Sequence, residues 1–366
     1  MASEPTVAKE KYACPACGGD SHWNPTKKAL VCAYCGTNAP GELDKSSGEV
    51  REIDLVTALR ELDNDARGWK SDRVSVKCQS CEAISVFQAQ MTAKQCEFCG
   101  STQILPYEQR KAPISPESLL PLEVSESRVR ESMRQWYHTR WFAPNRLKKD
   151  ALTDTVKGVY IPYWTFDAQS HADWTAQSGY YYYVSETYLD AEGKAQTRQV
   201  RKIRWQNSSG SLDHFFDDEL VAGTQGVDGE LLAQVEPFPT KKLVAYDPGY
   251  LSGWLVEQYQ IDLISAAQRS HATMGKKLES LCASQVPGDT HRFLKVRSHY
   301  HGQTFKHILV PIWLLTYRHG KKNFQVIVNG VTGEIAGRYP KSVWKILFLV
   351  IGILIAVGII VLVSQS

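Results

Sequence analysis

Four Cys-x-x-Cys pairs near the N terminus constrain the fold of this 366-residue chain more than any other feature. The pairs form two clusters, and in each cluster 14 residues separate the first pair from the second. The second cluster repeats the spacing of the first 64 positions later, which indicates an internal duplication. The eight residues are Cys14, Cys17, Cys32 and Cys35 in the first cluster, and Cys78, Cys81, Cys96 and Cys99 in the second.

Each cluster has the pattern of a zinc ribbon. Structural Zn²⁺ takes four ligands in a tetrahedron, and a Cys-x-x-Cys pair brings two thiolates into one tight turn. Gly18, Gly36 and Gly100 follow three of the pairs, where a residue without a Cβ can adopt a positive φ. Glu82 follows the remaining pair, Cys78 and Cys81. So short a segment has almost no core and needs the metal to fold. We therefore predict two structural zinc ions per chain, one for each set of four cysteines.

Other uses of these cysteines fit the sequence less well. Disulfides form in oxidising compartments, and a redox Cys-x-x-Cys would not occur twice in matched pairs. Four thiolates leave no ligand position open for water, so the sites are expected to be structural. His22, inside the first cluster, is then expected at the surface, and the solitary Cys282 is expected to be a buried small hydrophobe.

The chain ends in an apolar segment that predicts a transmembrane helix. From Ile346 to Val363, 18 consecutive residues carry no charge and no strongly polar side chain. At 1.5 Å per residue they span about 27 Å, close to the thickness of the hydrocarbon core of a bilayer. Arg338, Lys341 and Lys345 precede the segment and no basic residue follows it. The positive-inside bias therefore predicts a single-pass protein of the inner membrane with a cytoplasmic N terminus. A buried C-terminal core helix is the alternative.

Two features fill the chain between and after the cysteine clusters. An amphipathic helix is indicated by apolar residues that recur on one helical face, namely Leu55, Leu59, Leu62, Ala66 and Trp69. A linker is indicated by four prolines within 16 residues, because proline is excluded from helix interiors and central strands. These prolines are Pro106, Pro113, Pro116 and Pro121.

From residue 156 onward the sequence favours strands rich in aromatic and β-branched residues, with one long helix near residues 262–284. The pair Asn329-Gly330 is typical of a two-residue hairpin turn. The predicted fold class is α+β multidomain, with two tandem four-cysteine zinc ribbons, a large β-rich aromatic domain with a few helices, and one C-terminal transmembrane helix. The predicted segments are zinc ribbon 1 at 1–40, the connecting helix at 41–73, zinc ribbon 2 at 74–104, the Pro-rich linker at 105–122, the β-rich domain at 123–341 and the transmembrane helix at 343–363.

Motifs of common enzyme classes do not occur in the chain. The sequence contains neither a Gly-x₄-Gly-Lys-Ser/Thr phosphate loop nor a His-Glu-x-x-His zinc motif. We therefore predict that the protein is not an enzyme, and we name no catalytic residue. Two weaker leads toward a further metal site are a histidine group and an acidic group, which are His299, His301 and His307, and Asp213, Asp217 and Asp218.

The net charge of the ribbon region helps to decide whether the ribbons bind nucleic acid or protein. Residues 1–110 carry 13 Lys and Arg against 15 Asp and Glu, and two zinc centres with four thiolates each would bring the net charge to about −6. Such a region repels nucleic acid, so a protein partner is expected. Nucleic-acid binding through the basic stretches Arg198–Arg204 and Arg292–Arg297 is the alternative.

Five short strings, most of them rich in aromatic residues, carry a family resemblance. They are Arg140-Trp141-Phe142-Ala143-Pro144, Val159-Tyr160-Ile161-Pro162-Tyr163-Trp164-Thr165-Phe166-Asp167-Ala168, Phe216-Asp217-Asp218, Tyr250-Leu251-Ser252-Gly253-Trp254, and the segment from Thr304-Phe305-Lys306-His307 to Trp313. With the cysteine clusters, they resemble the YdjG-type bacterial membrane proteins with TFIIB-type zinc ribbons, often labelled as relatives of the primosomal helicase. Their neighbours are proteins of the SPFH (flotillin-like) and PspA/ESCRT-III classes. The resemblance thus implies a membrane platform that recruits envelope-stress or membrane-remodelling proteins.

These observations together predict a membrane-anchored zinc-ribbon adaptor or scaffold that recruits cytoplasmic partner proteins to the inner membrane. The resemblance suggests SPFH or PspA/ESCRT-III proteins as those partners. The alternative is a membrane-tethered nucleic-acid-binding protein related to replication or primosome factors, without helicase activity.

Overall fold

The computed structural model of the chain describes residues 14–38, 50–61, 73–88, 95–96, 98–107, 114–144, 156–189, 191, 193–319 and 322–364. Within these residues the fold is mixed α+β, with two four-cysteine clusters, a large sheet and five α-helices, the last of which is apolar. The predicted fold class is therefore confirmed at this level, while the predicted domain limits stay predictions.

The described helices and strands follow one another in this order. The strands are β1 (Ser21–Asn24), β2 (Ala29–Cys32), β3 (Ile53–Asp54), β4 (Arg73–Cys78), β5 (Ile84–Gln88), β6 (Ile104–Pro106), β7 (Ser118–Leu119), β8 (Lys157–Leu189), β9 (Ala195–Ala222), β10 (Val244–Ala245), β11 (Leu255–Gln258), β12 (Thr290–His319), β13 (Lys322–Asn329) and β14 (Ile335–Gly337). The helices are α1 (Leu55–Glu61), α2 (Glu126–His138), α3 (Gly229–Val235), α4 (Leu263–Gln285) and α5 (Val343–Ser364). Short 3₁₀ helices lie at Thr240–Lys242 and Pro248–Leu251.

The two cysteine clusters relate differently to the sheets. The hairpin of the first cluster, β1 and β2, forms a two-stranded sheet of its own. The hairpin of the second, β4 and β5, belongs to a 12-stranded sheet with the path β10-β7-β12-β8-β11-β5-β4-β6. This hairpin joins the large sheet through β5, in which Val86 pairs antiparallel with Val256 of β11, and β11 in turn pairs in parallel with β8. The second cluster is thus built onto the edge of the main sheet.

Three very long strands extend out of this sheet, with β8 between β9 and β12. We call their extended part the blade, defined as residues 169–189 of β8, 195–215 of β9 and 290–301 of β12. Strand β12 pairs with β8 as far as Gly179, and β8 and β9 continue beyond it as a hairpin up to the pair Leu189 and Ala195. At about 3.3 Å per residue, the 21 residues of β8 in the blade span about 70 Å.

Helix α4 covers one face of the blade. The Asp262 carboxylate caps the helix by accepting a hydrogen bond from the Ser265 amide at 2.7 Å. Alternate residues of β8, including Ala172 and Trp174, are buried with the apolar residues of α4, whereas the odd-numbered positions from Gln169 to Gln177 lie half-buried or exposed on the other face. Cys282 is fully buried in this contact, as predicted from its place on an apolar helix face.

Tryptophan indoles tie the sheet to the segments that cover it. Trp164 of β8 donates a hydrogen bond from Nε1 to the Ile261 carbonyl at 2.9 Å, and Trp313 of β12 donates to the Val124 carbonyl at 2.9 Å. Both side chains are almost completely buried, so their N–H groups need these partners. Part of the aromatic load that carries the family resemblance therefore forms the core.

The Pro-rich segment is partly a strand rather than an exposed connection. Ser118 and Leu119 form β7, which pairs with β10 and with β12, and Leu119, Leu120 and Leu122 are buried. A strand of two residues fits between Pro116 and the next proline, so the prolines bound the strand instead of excluding it.

The connecting helix is described only in its first two turns. Helix α1 spans Leu55–Glu61 and buries Leu55 and Ala58. The later positions of the predicted apolar stripe, from Leu62 to Trp69, lie outside the described residues.

The predicted two-residue turn at Asn329-Gly330 is wrong. Strand β13 ends at Asn329 and β14 begins only at Ile335, so a five-residue loop joins them. The Asn329 side chain accepts hydrogen bonds from two amides of this loop, those of Val331 and Thr332. Gly330 is required by close packing, because a Cβ there would lie 2.7 Å from the Pro311 carbonyl oxygen.

Candidate metal centres

The eight predicted cysteines come together in two groups of four, and the sulfurs of each group lie within 4.8 Å of one another. In the first group the closest sulfur pairs are 3.5 Å apart, and in the second they are 3.6 Å apart. A tetrahedron with Zn–S bonds of about 2.3 Å has edges of about 3.8 Å. A disulfide would need about 2.0 Å. The donor type and the spacing therefore fit a tetrahedral thiolate-bound metal ion.

All four Cys-x-x-Cys turns are closed by the same backbone hydrogen bonds. In each turn the fifth residue donates its amide to the carbonyl of the first cysteine, over 2.7–3.1 Å. That fifth residue has a positive φ in every case, and the four residues are Gly18 (72°), Gly36 (70°), Glu82 (62°) and Gly100 (72°). Glu82 thus adopts the left-handed conformation that glycine adopts in the other turns, at a cost in backbone strain.

Hydrogen bonds to sulfur favour the thiolate form that binds metal. The Thr37 side chain and backbone amide lower the pKa of Cys35 to about 6. In the second group, a hydrogen bond from the Cys81 thiol, together with backbone amides, lowers the pKa of Cys96 to about 5. Hydrogen bonds to neighbouring sulfurs raise the pKa of Cys17 and of Cys81, so each group favours the thiolate at one cysteine, Cys35 or Cys96, and the protonated thiol at a neighbour.

The first cysteine group is docked on the large domain through its hairpin. Trp23 is buried, donates from Nε1 to the Leu122 carbonyl at 3.0 Å, and packs against Tyr250 with ring centroids 4.6 Å apart. His22 is half-buried rather than on the surface, because its ring packs against Gly253, where a Cβ would lie 2.4 Å from Nδ1. It takes no part in the cysteine group.

Behind the second cysteine group lies a buried carboxyl group, that of Glu257 on β11. Its oxygens accept hydrogen bonds from the Thr224 hydroxyl at 2.6 Å and the Gln260 amide at 3.1 Å. Burial raises the pKa of Glu257 to about 8, and the charge on Cys96 adds to the shift. A side chain at Gly226 would contact both this carboxyl and Phe98, which shows how closely the second group packs on the sheet.

The histidine group predicted as a metal lead does not assemble. His307 is fully buried, donates from Nδ1 to the Ile114 carbonyl at 2.9 Å, and stacks on Trp164. Burial lowers its pKa to about 4. His299 and His301 are exposed on the blade. The two environments are separate because a bulge of β12 lies between His301 and the buried part of the strand.

The acidic group assembles in part, and a lysine already lies in it. Asp217 and Asp218 lie with Asp167, a residue that we did not predict there. The ammonium of Lys306, which is only 7% exposed, lies 2.7 Å from Asp218 and 3.5 Å from Asp167. Asp213 lies elsewhere and bonds to a histidine of the blade. The positive charge in this cluster is therefore supplied by the chain itself.

Helix α5 is apolar except for Lys345 in its first turn and Ser364 at its end, and it lies outside the core. Its window Val343–Ile360 has a mean hydropathy of 2.8, and none of it is buried. Among the described residues it is the one helix long and apolar enough to cross a membrane. Arg338, which precedes it, is held in the body by Asp228 at 2.9 Å and Glu230 at 2.6 Å.

One known protein is similar to nearly the whole chain. The chain is 24% identical over 339 residues to the "Uncharacterized protein YdjG" of Bacillus subtilis (strain 168), which covers 92% of this chain and 91% of that protein. This is a distant homology along almost the full length of both, in keeping with the resemblance seen in the aromatic strings. No family model and no solved structure matches the chain.

Proposed function

We propose that this protein is a membrane-anchored zinc-ribbon scaffold. In this proposal each cysteine group holds one structural Zn²⁺, helix α5 crosses the inner membrane, and the N terminus and the bulk of the chain are cytoplasmic. The scaffold recruits cytoplasmic partner proteins, for which the SPFH and PspA/ESCRT-III classes are the candidates suggested by the family resemblance. Its role is binding rather than catalysis.

The exposed apolar helix is the observation that carries the proposal. None of the 18 helical residues from Val343 to Ile360 is buried against the rest of the chain. In water this helix would expose several hundred Å² of apolar surface, which soluble monomers rarely do. Insertion into a bilayer removes this surface from water and leaves every backbone group of the helix hydrogen-bonded. The helix directly follows the body, so insertion would hold the body at the membrane surface.

The blade supports the recruiting role because it reaches away from the anchored end. One end of β12, residues 312–319, pairs with β13, which lies near the start of α5 in the chain. The other end, which begins at Thr290, pairs with the blade part of β8. The 25 residues from 290 to 315 separate these ends by up to about 80 Å. Tyr183 (64% exposed) and Leu189 (70% exposed) lie in the hairpin at the tip, where a partner would reach them.

Two measurements test the anchor and the metal. Protease added outside intact cells should leave the N terminus uncut, and metal analysis of the purified chain should find two zinc ions. The double change Cys14→Ser with Cys17→Ser should lower this number to one, as should the same change of Cys78 and Cys81. A chain that stays folded without metal, or an N terminus cut from outside, would contradict the proposal.

Recruitment is tested with a shortened blade. The full chain is co-expressed with an SPFH or PspA/ESCRT-III protein of the same organism and purified in detergent. In the variant, Tyr181 is joined to Ile203 through Asn-Gly, which removes the two-stranded tip and leaves the three-stranded part intact. Capture of the partner by the natural chain and its loss in the variant are expected. Equal capture by the variant would exclude the tip, and no capture by either chain would contradict these partner classes.

A second candidate function, nucleic-acid binding at the membrane, is favoured by one observation. Arg292, Lys295 and Arg297 are opposite outward-facing residues of β8, so with Arg201 they share the blade face that α4 leaves open. An open cleft of about 480 Å³ on this face is lined partly by Phe293 and Lys295. Basic and aromatic side chains together bind single strands. Gel-shift binding of single-stranded DNA that weakens steeply with salt would favour this candidate over the scaffold.

A further inference from the structure

We propose that the loop Trp141–Ala143 is a second membrane contact, which lies in the headgroup layer of a phospholipid bilayer and fixes the angle at which α5 leaves the body. The proposal rests on the membrane anchor proposed above. It assigns a role to Trp141 of the Trp-Phe-Ala-Pro string, because Trp141 is 57% exposed and is not explained by core packing, whereas Ala143 of the same loop is fully buried.

The loop and the first turn of α5 are joined by three hydrogen bonds. The Lys345 ammonium donates to the Trp141 carbonyl at 3.0 Å and to the Ala143 carbonyl at 2.8 Å. The Ser342 amide donates to the Phe142 carbonyl at 2.8 Å. Bonds to a charged donor are among the stronger hydrogen bonds in proteins, and they grow stronger where water is scarce. The loop therefore stays beside the helix start.

The position of these bonds along α5 sets the depth of the loop. Lys345 is the third residue of the helix and of its apolar window, which begins at Val343. A bilayer of about 40–45 Å with a hydrocarbon core of about 30 Å leaves about 5–8 Å of headgroup layer on each side. When the apolar window of α5 lies in the hydrocarbon core, the Lys345 side chain extends back toward the headgroup layer. A lysine side chain is about as long as this layer is thick, so the Trp141 backbone that it contacts lies within the headgroup layer.

The chemistry of the exposed side chains fits this layer. Trp141 and Trp344, which is 70% exposed, are the residue type enriched at membrane–water interfaces, where the ring is partly apolar and the indole N–H stays wet. The Phe142 ring packs against Trp141 with centroids 5.1 Å apart and supports it. Lys341 is exposed just before the helix, where anionic headgroups attract cations.

The neighbouring helix α2 offers a weaker alternative. Its arginines Arg130 and Arg134 pair with Glu126 and Glu131 on the same helix. The charges of these two arginines are compensated, and of the arginines in α2 only the exposed Arg128 has no ion-pair partner among the described residues, which leaves this face one excess positive charge to attract lipid headgroups. The loop is the better candidate for lipid contact near α5.

Photo-crosslinking of the full chain in vesicles of phosphatidylethanolamine and phosphatidylglycerol tests the proposal. The photoreactive residue p-benzoylphenylalanine replaces one aromatic residue at a time, and lipid adducts are measured by mass spectrometry. Trp141 is the test position, Trp344 is the positive control, and Tyr34 and Tyr183 are exposed controls on the first cysteine group and the blade. We expect adducts at 141 and 344 and background at 34 and 183.

The outcomes separate this proposal from the anchor itself. Adducts at 344 with background at 141 would overturn the loop contact and leave the anchor standing. Background at both positions would overturn the anchor, and with it the loop contact.

A second variant tests the positioning role of Lys345. The change Lys345→Met removes both bonds to the loop and keeps the helix apolar, so the adduct at 141 should fall toward background while the adduct at 344 persists. The matched control Lys341→Met removes an exposed charge from the same segment and should leave both adducts unchanged. An undiminished adduct at 141 in Lys345→Met would contradict the fixed angle.

Discussion

Replacing Glu257 by glutamine should stabilise the protein increasingly as the pH rises. The carboxyl group is completely buried, and its pKa is raised from 4.5 to about 8 by burial. The folded chain therefore holds a proton that the unfolded chain releases above about pH 4.5. Because the folded state binds more protons in this range, the free energy of unfolding falls with rising pH, by about 1.4 kcal/mol per pH unit.

The difference in free energy of unfolding between Glu257→Gln and the natural chain, called the gap below, follows from this difference between the folded and the unfolded pKa. At pH 7 the natural chain is about 2.5 pH units above the unfolded pKa, so holding the proton costs about 3 kcal/mol that a neutral amide does not incur. Glutamine keeps an oxygen that can accept from Gln260, and its amide can donate to the Thr224 hydroxyl, so few hydrogen bonds are lost. The gap should be about 1 kcal/mol at pH 5.5 and should grow toward pH 8.

Urea unfolding of the zinc-loaded chain in detergent, followed by tryptophan fluorescence at several pH values, measures the gap. The matched control is Glu279→Gln, which makes the same change on the exposed side of α4 and should give no pH-dependent gap. A gap that is constant from pH 5.5 to 8 would show that Glu257 does not hold its proton, and the reasoning would then be refuted.

Three further predictions concern the cysteine groups and the lysine cluster. Glu82→Gly should stabilise the second group by up to about 1 kcal/mol and make it more resistant to chelators, because glycine adopts the left-handed conformation without strain. Gly100→Ala should make the second group less resistant, and the rate of zinc release to a chelator measures both effects. A chelator should remove metal from the first group sooner, since Cys17 and Cys35 are exposed there, and a colorimetric zinc assay with two phases would show it. Lys306→Met should destabilise the fold by about 3–5 kcal/mol, because it leaves buried carboxylates without their cation; thermal unfolding measures the loss, and an unchanged midpoint would contradict the assigned pairing.

The sequence predicted those parts of the structure that depend on local spacing. The cysteine groups follow from two residues in one turn and a repeated interval, and α5 follows from a continuous apolar run. Helix α4 begins and ends within one residue of the predicted limits, because its apolar stripe and its Asp262 cap are both local signals.

Features that depend on distant partners were not predictable in this way. Strand β5 pairs with β11 although the paired residues Val86 and Val256 are far apart in the chain, and nothing in either segment specifies the other. The cluster around Lys306 is likewise drawn from separate strands. The turn at Asn329 was misjudged because the packing of Gly330 against another strand, rather than its backbone freedom, explains the glycine.

The pairing of β5 with β11 joins the second cysteine hairpin to the same hydrogen-bonded ladder that leads through β8 to the far end of the molecule. If this hairpin holds a zinc ion as proposed, and is too short to persist without it, one border of the largest sheet in the described chain depends on that ion. Maturation of the sheet would then be contingent on metal supply, and a cell starved of zinc would be expected to assemble fewer complete molecules rather than many weakened ones.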